Sequence, residues 1–130
     1  MCLRRLVLVV IVLLAAAASW SESRPTSLFE ARAAVEANMR SAEGKAYDER
    51  FGKEFFEKYK ETIHQCKLST GTDPENFWTL AKLAADGKVQ EVLLYPDTKI
   101  GACERQTLLK DRFSTPPRDA YWVSVYLKFK

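Results

Sequence analysis

Few side chains in this chain are equipped for chemistry. The single histidine, His64, stands two residues before Cys66, which raises a base-and-thiol pair. On a helix, however, positions two apart point in different directions, so the imidazole would not face the sulfur. Glu54, Glu57 and Glu61 are spaced three and four apart and form an acidic stripe of the kind that holds a metal or works in acid–base pairs. Lys53, Lys58 and Lys60 interleave with them, and such a mixture reads as a solvated, salt-laced helix face. No Gly-rich phosphate loop, paired CxxC or GxSxG elbow occurs. The expectation is a protein that is not an enzyme, with no cofactor and no metal site.

The opening residues have the order of an export signal. Arg4 and Arg5 supply a positive start, Leu6 to Leu14 an apolar run, and Ala15 to Ala18 small residues for a peptidase. The apolar run is shorter than the about 20 residues an α-helix needs to cross a bilayer, so residues 1–21 are expected to be a signal peptide and residues 24–130 one domain. No stable membrane insertion is expected after cleavage, and the expected location is secreted or periplasmic.

Removal of the signal changes two further readings. The formal charge of +3 comes from 20 basic and 17 acidic residues, and without Arg4 and Arg5 it becomes 18 against 17. Lys and Glu are interleaved rather than gathered, which speaks against a nucleic-acid partner. Of the three cysteines, Cys2 leaves with the signal, and in an oxidising compartment Cys66 and Cys103 are expected to form a disulfide.

These side chains need elements to position them. Ser27-Leu28-Phe29-Glu30 fits a capping box, so a helix is predicted to start there, with Leu28, Ala31, Val35 and Met39 on one side. A second helical pattern runs from Lys45 to Lys67, with Phe51, Phe55, Tyr59, Ile63 and Cys66 on a single stripe. Leu68 to Asn76 reads as a loop. Phe77 to Ala84 and Val89 to Tyr95 are strand-like runs joined through Asp86-Gly87, a hairpin turn pair, and Pro96 closes the second. Thr98 to Phe113 can form a helix, stopped by Pro116-Pro117. From Tyr121 onwards, Tyr121, Val123, Val125, Leu127 and Phe129 alternate with Trp122, Ser124, Tyr126 and Lys128, the mark of a half-buried strand. The expected fold is α+β: a helical segment at 27–67, then a strand-strand-helix-strand unit at 77–130 whose small antiparallel sheet carries helices on one face.

The stretch Phe77 to Phe129 resembles the TonB C-terminal domain family in its broad sense. The resemblance rests on the order of an apolar strand, Asp86-Gly87-Lys88-Val89, a strand closing on Pro96, Cys103 in a helix, Phe113 before Pro116-Pro117, and an apolar last strand. It implies a periplasmic location in a Gram-negative bacterium and a last strand that pairs with an extended peptide. An energy transducer of that family has a membrane anchor and a long proline-rich spacer; with five prolines in all, this chain looks like a stand-alone TonB-like domain, and the energy-coupling role is not carried over.

The expected function is binding of an envelope protein or extended peptide by strand addition at the sheet edge. Trp122, Ser124, Val125, Tyr126 and Lys128 are the expected peptide-binding residues, Trp122 and Tyr126 being large aromatics with polar tips that favour interfaces. The competing reading of these aromatics is that they cover the sheet against the N-terminal helices. Lys128 and Lys130 also suit gatekeepers against edge-to-edge aggregation. The alternative function is a secreted, disulfide-held inhibitor or structural protein, with contacts borne by Leu68 to Asn76 or Ser114 to Tyr121.

Overall fold

The computed structural model describes residues 24–130; the expected signal peptide lies outside them. Helix α1 spans Leu28–Asn38 and α2 spans Ala42–Thr70; strands β1 (Phe77–Leu83) and β2 (Val89–Tyr95), helix α3 (Lys99–Leu108) and strand β3 (Tyr121–Leu127) follow. The fold is α+β, a helical segment followed by a three-stranded antiparallel sheet in the order β2-β1-β3.

Each helix starts where a side-chain oxygen meets an otherwise unpartnered N–H. The hydroxyls of Ser27, Ser41 and Thr98 accept from the main-chain nitrogens of Glu30, Gly44 and Gly101 at 3.1, 2.9 and 3.0 Å. Helix α2 outruns the predicted span at both ends, because Ser41 caps it and Gly71 closes it in the left-handed conformation at φ 60°. Helix α3 stops at Leu108, short of the predicted Phe113. The segment after it pairs with the hairpin instead: Val89 N donates to Asp111 O and Phe113 N to Gly87 O, at 3.0 and 2.9 Å.

The turn between β1 and β2 confirms why Asp86-Gly87 is a hairpin signal. Gly87 sits at φ 87°, Gly87 N donates to Ala84 O, and Lys88 N donates to Asp86 Oδ1. A Cβ at Gly87 would also lie 1.9 Å from Phe113 O, so the close return of the Asp111–Phe113 segment needs glycine as much as the turn does.

Alternation in the strands divides the sheet into two faces. The inner face carries Phe77, Ala81, Leu83, Val89, Val92, Tyr121, Val123, Val125 and Leu127, packed in one core with the α2 stripe Tyr47, Phe51, Phe55, Tyr59, Ile63 and Cys66. Full burial of each large apolar side chain contributes on the order of 1.5–3 kcal/mol. Phe55 stacks on Tyr59 with centroids 4.8 Å apart, and Phe51 meets Phe113 at 4.7 Å. The Cys66–Cys103 disulfide ties α2 to α3 across this core, its Cα atoms 5.8 Å apart.

The expectation of helices on one face alone is corrected here. Helix α1 lies on the opposite, outer face, where Ala31, Leu80 and Trp122 form a second small core with Leu28, Ala34, Val35 and Leu93 around it. The reason is that the outer face is also apolar: Leu80, Leu93 and Trp122 would otherwise meet water.

Candidate functional site

The outer face is a grid of three rows across β2, β1 and β3, fixed by the strand register. The first row is Glu91, Lys82 and Trp122; the second is Leu93, Leu80 and Ser124; the third is Tyr95, Trp78 and Tyr126. Two long-range anchors decide which rows α1 covers. Near its start, Thr26 donates through N and Oγ1 to the two carboxylate oxygens of Glu91, both at 3.0 Å, and Glu91 in turn pairs with Lys82 at 3.2 Å. At its end, Asn38 Nδ2 donates to Trp122 O at 3.0 Å, and the guanidinium of Arg118 donates to Asn38 Oδ1.

Helix α1 therefore covers the first two rows and leaves the third open. Tyr95, Trp78 and Tyr126 are 51%, 43% and 42% exposed, and the rings of Trp78 and Tyr126 lie 4.8 Å apart between centroids. Between this row and the helix runs a cleft of about 270 Å³ bordered by Arg32, Val35, Glu36, Trp78, Tyr95 and Ser124. A row of exposed aromatics beside one cation and one anion has the composition of an interface.

The main chain of β3 adds a second feature. In an antiparallel sheet, alternate residues of a central strand bond to opposite neighbours. Ala84 N donates to Lys88 O in the hairpin, which turns the even-numbered main chains of β1 towards β2 and the odd-numbered ones towards β3. By the register Thr79↔Val125 and Ala81↔Val123, the odd residues of β3 bond to β1. The main-chain groups of Trp122, Ser124 and Tyr126 face away from the sheet, and the hydrogen bond from Asn38 to Trp122 O agrees with this. That bond closes the edge at Trp122; among the described residues nothing pairs with the edge at Ser124 and Tyr126. The other edge is paired at its start, where Asp111 and Phe113 bond to Val89 and Gly87.

The flank of α2 beside this edge is partly apolar. Lys67 Nζ lies 5.8 Å above the Phe129 ring, so the helix face bearing Gly52, Phe56, Lys60, Ile63 and Lys67 turns towards the end of β3. Phe56 is 49% exposed there.

The five expected peptide-binding residues are separated by this geometry. Tyr126 and Lys128 are exposed and Ser124 borders the cleft. The side chain of Trp122 is 5% exposed beneath α1, and that of Val125 is in the inner core; neither side chain can reach a ligand, because one is covered by the crossing helix and the other points at α2. Trp122 thus follows the competing reading and Tyr126 does not. Trp78, Tyr95, Arg32 and Glu36 were not anticipated.

The candidates for chemistry are dispersed. His64 is exposed on α2, whereas Cys66 is buried and bonded to Cys103. Glu54 pairs with Lys58 at 3.5 Å and accepts from Ser114 N and Oγ, while Lys58 donates to Arg112 O at 2.7 Å, so this part of the stripe fastens the segment after α3 to α2. Among the described residues no group of three or more His, Cys, Asp or Glu is placed to hold a metal, and no helix is long and apolar enough to cross a membrane. Glu104 is fully buried; its Oε2 accepts from Thr79 Oγ1 at 3.3 Å while Oε1 has no partner, and burial pushes its carboxyl up to about 8. Burial also raises the Tyr59 phenol, which donates to Asp111 Oδ2 at 2.7 Å. Neither group opens onto the outer-face cleft.

No protein family matches the chain, and no curated protein and no solved structure matches it either.

Proposed function

We propose that this is an exported, periplasmic, TonB-like binding module that takes an extended segment of an envelope protein as an added strand on the free edge of β3. The observation that carries the reading is the open edge at Ser124 and Tyr126, where the outward main-chain N–H and C=O groups lie between two partly apolar flanks. On the outer flank are Tyr126 and Trp78, and on the inner flank is Phe56. An added strand gains main-chain hydrogen bonds from the edge, and its alternating side chains meet these two flanks, which gives selectivity. The resemblance of Phe77 to Phe129 to TonB-like domains supports the same mode.

The test is selection of a displayed library of extended peptides on the full chain, repeated on Tyr126→Pro. Proline at 126 removes one outward N–H and no N–H that bonds to β1, so the fold is retained, which circular dichroism checks. Peptides that bind the natural chain and lose at least about tenfold on Tyr126→Pro support strand addition. Equal binding to both chains contradicts it and favours contacts borne by Leu68 to Asn76 or Ser114 to Tyr121.

A further inference from the structure

We propose that the free edge of β3 also pairs antiparallel with the same edge of a second copy, about a two-fold axis at Tyr126, and that this self-pairing masks the edge from other partners. The inference rests on the strand-addition reading only in using the same edge.

What occupies the edge excludes an axis at Ser124, and the side chains choose Tyr126 over Val125 and Leu127, whose two-folds would set Lys128 opposite the partner's Trp122 and the partner's Tyr126. A two-fold at Ser124 would set Trp122 opposite the partner's Tyr126, but Trp122 O already accepts from Asn38, and Arg118 stands behind that amide. A two-fold at Lys128 would set the two Lys128 ammonium groups opposite each other, where like charges repel. With the axis at Tyr126, Tyr126 faces the partner's Tyr126, Ser124 faces the partner's Lys128, and every outward main-chain group from Ser124 to Lys128 meets its complement.

Three side-chain relationships agree with that register. Directly opposed residues of an antiparallel pair lie on the same face, with Cβ atoms about 5 Å apart. Lys128 would therefore enter the partner's outer-face cleft beside Ser124, where Glu36 stands. Glu36 and Lys128 are both exposed, and neither belongs to any ion pair among the described residues. The two-fold makes that match twice, once on each side. The ring of Tyr126 would meet its two-fold mate on the outer face, and the aromatic row Tyr95, Trp78 and Tyr126 would run on across the pair. On the inner face, the two Phe56 side chains approach each other from the paired α2 helices, while Lys60 and Lys67 are long enough to keep their ammonium groups in water. A lysine at 128 is thus suited to one self-pairing register, whereas in any register that sets two copies of Lys128 opposite each other it repels.

The experiment is disulfide trapping in the full chain carrying Cys2→Ser, so that the added thiol is the free one. Tyr126→Cys is expected to shift most of the chain to a covalent dimer under mild oxidation. Lys128→Cys alone is expected to stay monomeric, and Ser124→Cys mixed with Lys128→Cys is expected to give the mixed dimer. Sedimentation of the unsubstituted chain over rising concentration reads the same association without any substitution, and a shift to twice the monomer mass is expected. A Tyr126→Cys chain that remains monomeric, or an unsubstituted chain of monomer mass at every concentration, overturns self-pairing. Trapping by Lys128→Cys alone as readily as by Tyr126→Cys overturns the register. The two proposals fail separately. If Tyr126→Cys does not trap but Tyr126→Pro loses the selected peptides, strand addition stands and self-pairing falls. If Tyr126→Cys traps and the peptides bind Tyr126→Pro unchanged, self-pairing stands and strand addition falls. Where both hold, the trapped dimer releases the selected peptides and reduction restores their binding.

Discussion

Asn38 donates through Nδ2 to the main-chain oxygen of Trp122 at 3.0 Å, joining residues 84 apart in sequence. This hydrogen bond holds the end of α1 on the sheet and closes the edge of β3 at one residue, so it sets where the open edge begins. Both polar atoms of the amide are used, since Arg118 donates to its oxygen. Asn38→Ala leaves the buried environment of Trp122 O without its donor and is expected to lower stability by about 1–3 kcal/mol, read as a lower urea midpoint at unchanged slope. An unshifted midpoint would mean that α1 is held by its apolar contacts alone.

The hairpin turn gives a second expectation. Gly87 combines φ 87° with a neighbouring carbonyl that a Cβ would strike. Gly87→Ala is expected to cost more than the about 1 kcal/mol of a strained turn alone, because the Asp111–Phe113 segment must also move. Thermal unfolding checks this, and Asp86→Ala, which removes only the hydrogen bond to Lys88 N, is expected to cost less.

The disulfide spans a sequence separation of 37. In the chain-entropy account a loop of that length contributes about 4 kcal/mol, a large share of the stability of a domain this size. Cys66→Ser with Cys103→Ser is expected to lower the denaturation midpoint accordingly. Titration of the denatured, unreduced natural chain is expected to find Cys66 and Cys103 unreactive.

Glu104 makes stability depend on pH. Its folded pKa of about 8 lies above the ordinary carboxyl value of about 4.3 in the unfolded chain. Below that ordinary value both states hold the proton and its full stability is present. As pH rises through the window up to about 8, the unfolded chain gives up the proton first, and stability falls; above 8 the loss is complete. At pH 7 the loss is roughly 3 kcal/mol. Glu104→Gln, which stays neutral, is expected to flatten the stability profile between pH 5 and 8 and to be more stable than the natural chain at pH 7. Parallel pH profiles for the two chains would contradict this.

The features legible in the sequence are those written locally. Ser27 caps α1 because a serine and a glutamate stand three apart. The hairpin follows from Asp86-Gly87, and the alternation from Tyr121 to Leu127 separates the two faces of β3. The Cys66–Cys103 pair followed once Cys2 was set aside. What could not be read depends on distant residues. Both N-terminal helices have an apolar side, and the sequence does not say that α1 meets the apolar outer face at Leu80, Leu93 and Trp122, where the anchors Thr26–Glu91 and Asn38–Trp122 fix it. Trp122 and Tyr126 share one alternation, yet α1 crosses over the first and stops short of the second. Trp78 and Tyr95 are neighbours because a bulge shifts the register between Lys82 and Leu83; an unbroken count from the turn would pair Trp78 with Leu94, on the other face. The end of α3 depends on Asp111 and Phe113 bonding to the hairpin, which no helical periodicity records.

Amide hydrogen exchange reads whether the edge of β3 receives an added strand at Ser124 and Tyr126. In the free protein at low concentration, the amides of Ser124 and Tyr126 are expected to exchange quickly, while those of Val123 and Val125, bonded to β1, exchange slowly. With a selected peptide bound, Ser124 and Tyr126 are expected to become protected and Val123 and Val125 to remain as they were. Protection confined to residues 68–76 or 114–121, with Ser124 and Tyr126 still exchanging at their free rates, would mean that the partner binds through these loops and not at the strand edge.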